Sequence, residues 1–134
     1  MIDHLSTYAT DFVATKEFYV ACLGALGYAV QSEMVMTKDL ELPNRHCCAF
    51  GPADKSLFWV IEVKQACSPR HLAFCAADRA AVAAFHSAAL AAGGRDNGAP
   101  GLRPEYHEHY FGAFALDPDG NNVEAVCHAP ETDR

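Results

Sequence analysis

The chain matches itself. When His4 is laid on His71, a shift of 67 residues, the opening of the first half falls on the opening of the second without a gap. Leu5 meets Leu72, Ala9 meets Ala76, Asp11 meets Asp78, Ala14 meets Ala81 and Phe18 meets Phe85. Ala21, Leu23, Ala25 and Gly27 then meet Ala88, Leu90, Ala92 and Gly94, which makes ten identities across His4–Gly27. Alanine-rich segments inflate such matches, but the paired His, Asp, Phe and Gly do not arise from composition. Self-similarity at a fixed period means one supersecondary unit used twice, since a unit this small cannot bury its apolar face alone. The chain is therefore expected to form a single domain over 1–134, built from modules 1–66 and 67–134.

Each copy reads as a short strand (Asp3–Ala9, His71–Ala76), then an acidic N-cap (Asp11, Asp78), then a helix. The apolar stripes are Phe18, Cys22, Leu23 and Leu26 in the first helix and Val82, Phe85, Ala89 and Leu90 in the second. Gly27 and Gly93-Gly94 supply the stops. Strands are predicted at Tyr28–Met36, Cys47–Phe50 and Leu57–Val63, and again at Gly112–Leu116 and Asn122–His128. The stretch Asp96–His109, broken by Gly98, Pro100, Gly101 and Pro104, reads as a long loop, and Leu116–Asn121 as a tight turn. The tail Pro130–Arg134 is polar and expected to fray. The order is β-α-β-β-β twice, an α+β fold whose curved mixed sheets form a cleft.

Composition narrows the function. Ten basic residues against seventeen acidic ones give a formal charge of −7, with no basic cluster, which disfavours nucleic acid as a partner. No stretch approaches the length of a membrane span, and the N-terminus has no basic segment leading into an apolar one, so a cytoplasmic location is expected. The six cysteines (Cys22, Cys47, Cys48, Cys67, Cys75, Cys127) contain no C-x-x-C pair and are expected to be free and buried in the structure.

His4 and His71 occupy the same place on the first strand of each copy. If both point inward, two imidazoles converge, and a carboxylate would complete a metal site. Glu124, in the apolar last strand, supplies one, because a buried unpaired carboxylate is costly unless something compensates it. The equivalent position in the first half stays ambiguous. Matching Pro52 to Pro118 puts Phe58 opposite Glu124, a two-residue insertion puts Val60 there, and a four-residue insertion puts Glu62 there.

These features resemble the vicinal-oxygen-chelate superfamily, which includes glyoxalase I, bleomycin-resistance proteins, fosfomycin-resistance thiol transferases and extradiol dioxygenases. The resemblance covers Ile2 to His128. It rests on the paired strand–helix openings, on Phe18–Tyr28 ending in Leu-Gly-Ala-Leu-Gly-Tyr, and on the run from Leu116 through Glu124. It implies a glyoxalase-like metalloenzyme, with His4, His71 and Glu124 as ligands of a divalent ion (Zn, Ni, Mn or Fe). Glu62 is the candidate for a fourth ligand, and Glu124 or Glu62 for proton transfer. The implied substrate is a small molecule with vicinal oxygens, and the reaction could be isomerisation, epoxide opening or oxygen insertion by a dioxygenase. The alternative is a metal-free binder of the bleomycin-resistance type. Trp59, Tyr106, His109, Tyr110 and Arg103 are candidate substrate-binding residues, with His107 beside them. His46, His86 and His128 are expected to be surface or structural. A homodimer is expected, because one such cleft leaves apolar sheet edges uncovered.

Overall fold

The computed structural model describes residues 2–131. Its elements run β1 (Leu5–Ala9), α1 (Phe12–Gly24), β2 (Ala29–Met36), β3 (Arg45–Gly51), β4 (Phe58–Glu62), β5 (His71–Cys75), α2 (Arg79–Ala91), β6 (Arg95–Leu102), β7 (Phe111–Leu116) and β8 (Asn122–Cys127). This is β-α-β-β-β twice, as the internal repeat predicts. Each module makes one four-stranded mixed sheet, ordered β1-β4-β3-β2 and β5-β8-β7-β6. The first strand lies parallel to the last and the remaining pairs are antiparallel. Positions 132–134 of the polar tail lie outside the described residues.

Both helices start where an acid can accept orphan amide protons. Asp11 accepts from Ala14 N at 3.1 Å and Asp78 from Ala81 N at 2.7 Å. The buried stripe of α1 is Thr15, Phe18, Tyr19, Cys22 and Leu23; that of α2 is Val82, Phe85, His86 and Ala89. Leu90, assigned to the stripe from sequence, is 37% exposed. The inner face instead takes His86, whose Nε2 lies 3.0 Å from Asp96 Oδ1.

Strand β6 corrects the sequence reading, which placed a long loop there. Gly98, Pro100 and Gly101 all lie inside it. It is an edge strand, paired to β7 alone, with register shifts between Asp96 and Gly98 and between Gly98 and Gly101. An edge tolerates a proline because one side of the strand donates no ladder bond. Pairing to β7, not intrinsic propensity, makes this segment a strand.

The helix-bearing faces of the two sheets share one core. A single cluster joins Ala9, Phe18, Tyr19, Phe50, Phe58 and Val60 of the first module to Val82, Phe85, Ala89, Ala115, Val123 and Ala125 of the second. Contact at the seam is close: a Cβ on Gly94 would stand 2.4 Å from Phe18 Cε2. The turn after β7 clamps the seam. Buried Asp117 accepts from the Tyr19 hydroxyl at 2.7 Å, and Thr10 Oγ1 donates to Asp119 Oδ1 at 2.7 Å. Burial raises the Tyr19 pKa well above its ordinary value, and the charge of Asp117 adds to this, so the hydroxyl remains a donor.

Strand alternation sends the remaining side chains to the outer face of each sheet. On the first sheet these include Ser6, Tyr8, Cys47, Ala49, Trp59 and Ile61; on the second, His71, Ala73, Gly112, Phe114 and Glu124. All six cysteines are free. Cys22, Cys47, Cys48 and Cys127 are buried, and burial pushes the Cys48 thiol up to about 11. Cys67 and Cys75 depart from expectation: Cys75 is on the outer face of β5, Cys67 on the connection before it, and both are exposed. No described helix is long and apolar enough to cross a membrane.

Candidate metal centre

Glu124 sits on β8 between core residues Val123 and Ala125, but its own side chain takes the other face, where it is only 2% exposed. A buried carboxylate needs donors. The Tyr110 hydroxyl donates to Oε1. The phenol is pushed up to about 12, chiefly by burial and then by the bond to Glu124 and its charge, so it stays protonated and donating. Gly112 leaves the room for both groups, since a Cβ there would lie 3.1 Å from Glu124 Oε1 and 3.2 Å from Tyr110 Cε1.

The second carboxylate oxygen, Oε2, lies 3.1 Å from His71 Nε2. His71 Nδ1 is 3.1 Å from the Asn122 carbonyl oxygen. A carbonyl can only accept, so Nδ1 carries a proton, and Nε2 is the nitrogen turned toward the carboxylate. Two acceptors at that distance repel unless a cation joins them, either a proton on Nε2 or a metal ion. Tying Nδ1–H to a carbonyl is also how a ligating histidine is oriented toward its metal. Phe114 stacks on His71, with centroids 6.2 Å apart and planes at 26°. The Arg103 guanidinium lies 5.5 Å from the Phe114 ring centre and donates to the carbonyls of Ala99 and Leu102.

His4 precedes β1, where alternation places it with Ser6 and Tyr8 on the outer face of the first sheet. Its Nδ1 is 2.6 Å from Asp3 Oδ1, which again puts the proton on Nδ1 and leaves Nε2 as the free nitrogen. The outer faces of the two sheets back onto the shared core from opposite sides, so His4 does not reach His71. Among the described residues no three His, Cys, Asp or Glu side chains converge as a metal site. One chain thus presents a pair of groups, His71 and Glu124, of the types that ligate divalent ions.

Glu62 lies apart from both histidines. It pairs with Ala9 and shares its core side, and its Oε1 lies 3.4 Å from the backbone nitrogen and from Nδ1 of His46. The strand register also settles the ambiguous position. Leu5 pairs with Phe58 as Leu72 pairs with Val123, so the counterpart of Glu124 is Trp59. Pro52 corresponds to Asp117, not to Pro118, and a slip of one residue sends a side chain to the opposite face.

The 103–110 segment gathers around Tyr110. Its ring meets Tyr106 at 4.9 Å and His128 at 5.2 Å. His107 Nε2 lies 2.8 Å from His128 Nδ1, while His107 Nδ1 accepts from His109 N at 3.1 Å. His109 itself turns to Glu108, at 3.3 Å. Gly112, Phe114, Asn122 and His128 were not singled out in sequence as parts of this site, although alternation from Glu124 already places Asn122 and His128 on its face. A cavity of about 640 Å³, lined by Val35 to Glu41, opens at the β2–β3 connection of the first module, away from Glu124.

Two βαβββ modules with a histidine at the start of each first strand and a glutamate on the last strand define an α+β class of paired-module proteins. Residues 1–125 match the Glyoxalase/Bleomycin resistance protein/Dioxygenase superfamily, and the chain belongs to it. No curated protein matches the chain. Its structure is similar to that of a glyoxalase/bleomycin resistance protein from Albidiferax ferrireducens T118, with 25% identity and a TM-score of 0.71 over 96% of this chain and 99% of that one. Glyoxalase I from Zea mays shares the fold at 19% identity and a TM-score of 0.70, over 98% of this chain and 45% of that one. A glyoxylase/bleomycin resistance protein/dioxygenase domain from Frankia sp. EAN1pec does so at 12% identity and a TM-score of 0.70, over 96% of this chain and 98% of that one.

Proposed function

We propose that this protein is a divalent-metal-dependent enzyme acting on a small substrate with two neighbouring oxygens, and that its site is completed between two copies. One observation carries the reading: His71 Nε2 stands 3.1 Å from Glu124 Oε2, with the outer flank of each group tied down by Asn122 and Tyr110. Zn, Ni, Mn and Fe all accept imidazole and carboxylate ligands. In a two-fold dimer, the outer face of one copy's first sheet covers the outer face of the other's second sheet. Each site then takes His4 from one chain and His71 with Glu124 from the other. The same pairing would cover Met34 and Met36, which are 48% and 44% exposed in the single chain.

When bound, the ion supplies Lewis-acid polarisation of the two substrate oxygens. The rest is done by the chain. Glu124 takes up or returns a substrate proton at Oε2 once that oxygen is released from the ion, while Tyr110 holds Oε1 in place. Arg103 makes no ion pair among the described residues, which leaves its charge available to an anionic substituent. Tyr106, Trp59 and His109 border the substrate. Glu62, on the core side, takes no part.

Metal-free sequestration of a flat ligand is the second reading, favoured by the apolar outer face of the first sheet, where Trp59, Ile61 and Met34 lie. Calorimetric titration of metal-stripped protein with Zn²⁺, Ni²⁺, Mn²⁺ and Fe²⁺ separates the two. The enzyme reading expects tight binding by wild type that His71→Ala and Glu124→Gln abolish. Equal, weak binding by all three proteins would leave sequestration.

A further inference from the structure

The equivalence of the two modules extends into the site. Leu5 pairs with Phe58 in the first sheet as Leu72 pairs with Val123 in the second. One step along, Trp59 is to His4 what Glu124 is to His71. Trp59 is half-buried on the outer face and is flanked in register by Ser6 and Ala49, two small side chains that leave the indole uncrowded. Strands β1 to β4 bring no other acid to this face. Glu33 shares the core side with Cys48 and pairs with Lys16, and Glu62 shares the core side with Ala9. An indole nitrogen carries a proton and no available lone pair, so it cannot ligate a metal. What it offers is a broad π face.

We infer that Trp59 replaces, in the first sheet, the carboxylate that Glu124 provides in the second: an ion held between two copies has three protein ligands, and where a fourth would stand an indole face receives the planar ring of an aromatic substrate that bears adjacent oxygens. The inference rests on the metal centre proposed above and adds to it a specificity-determining residue and a substrate class. With three protein ligands, both substrate oxygens can find open positions on the ion.

The test uses metal-stripped full-length protein titrated with Co²⁺, read by calorimetry and by the emission of Trp59, the only tryptophan in the chain. In wild type, emission is expected to fall as Co²⁺ binds and to saturate with the heat signal. Trp59→Glu restores a carboxylate and should bind Co²⁺ roughly tenfold tighter or more; Trp59→His, a smaller donor, is read in the same way should the glutamate variant not fold. Trp59→Leu should keep wild-type Co²⁺ affinity. On the Co²⁺-loaded protein it should bind catechol about two- to tenfold more weakly, with no change toward propane-1,2-diol. Emission indifferent to saturating Co²⁺, or folded donor variants that bind it no tighter than wild type, would overturn the inference while leaving the metal centre standing. Wild type that binds no Co²⁺ would remove the metal centre itself, and the inference with it.

Discussion

Replacing Tyr110 with phenylalanine takes one hydrogen bond from the site and keeps the ring that packs at 4.9 Å from Tyr106 and 5.2 Å from His128. The lost bond ends on a carboxylate that is 2% exposed, with Gly112 beside it. A hydrogen bond to a charged, buried group contributes about 1.5–3 kcal/mol. Without metal, Tyr110→Phe should lower the melting temperature by roughly 3–5 °C per kcal/mol lost. With metal, losing the group that orients a ligand costs about 10- to 100-fold in affinity, or about 1.4–2.7 kcal/mol. Thermal melts without metal and Zn²⁺ calorimetry provide the readouts. A variant that melts early but binds Zn²⁺ as tightly as wild type would show that Tyr110 supports packing and does not orient Glu124 for a metal.

Other consequences concern the fold. Asp117 is 3% exposed and accepts from Tyr19 Oη at 2.7 Å, from the backbone nitrogens of Asp119 and Asn121 at 2.9 Å each, and from Asn121 Nδ2 at 2.8 Å. Asp117→Ala orphans these donors at the seam and should cost about 3–5 kcal/mol in urea denaturation, whereas a loss under about 1 kcal/mol would mean that the turn is no clamp. Asp96 is held below the usual carboxylate range, first by the Gly98 amide and then by His86. A depressed acid stabilises the fold above its unfolded pKa and loses that contribution as pH falls through its folded one. Stability should therefore decline below about pH 3.8, and Asp96→Ala should make that acid limb shallower in pH-dependent melts.

The module order, both helix caps and the seam turn were legible because each is written in local chemistry: His4–Gly27 repeating at His71, an Asp before each helix, and Pro and Gly in the turn. Strand β6 was not, because its Gly98 and Pro100 carry loop propensity and only pairing with β7 overrides it. Leu90 and His86 exchanged places because hydropathy favours the leucine, whereas the helical period i, i+3, i+4, i+7 from Val82 through Phe85 and Ala89 takes in His86. The site was partly legible. Glu124 stands out as an acid among apolar residues, but its outward direction follows from a register that the Pro52–Pro118 match misreads by one residue. Whether His4 and His71 lie on one side of the molecule depends on how the two sheets pack, which a repeat alone does not encode. The repeat gives two histidines at equivalent places; the shared core sends them to opposite outer faces.

The most direct test of the central claim is metal-binding complementation between two damaged chains. His4→Ala and His71→Ala, each alone, should bind Zn²⁺ far more weakly than wild type. Refolded together in equal amounts, they should regain about a quarter of the wild-type high-affinity sites, because half of randomly paired two-fold dimers are mixed and one of the two sites in each mixed dimer has every donor intact. A mixture that binds no more Zn²⁺ than the two variants measured apart would contradict a site shared between copies.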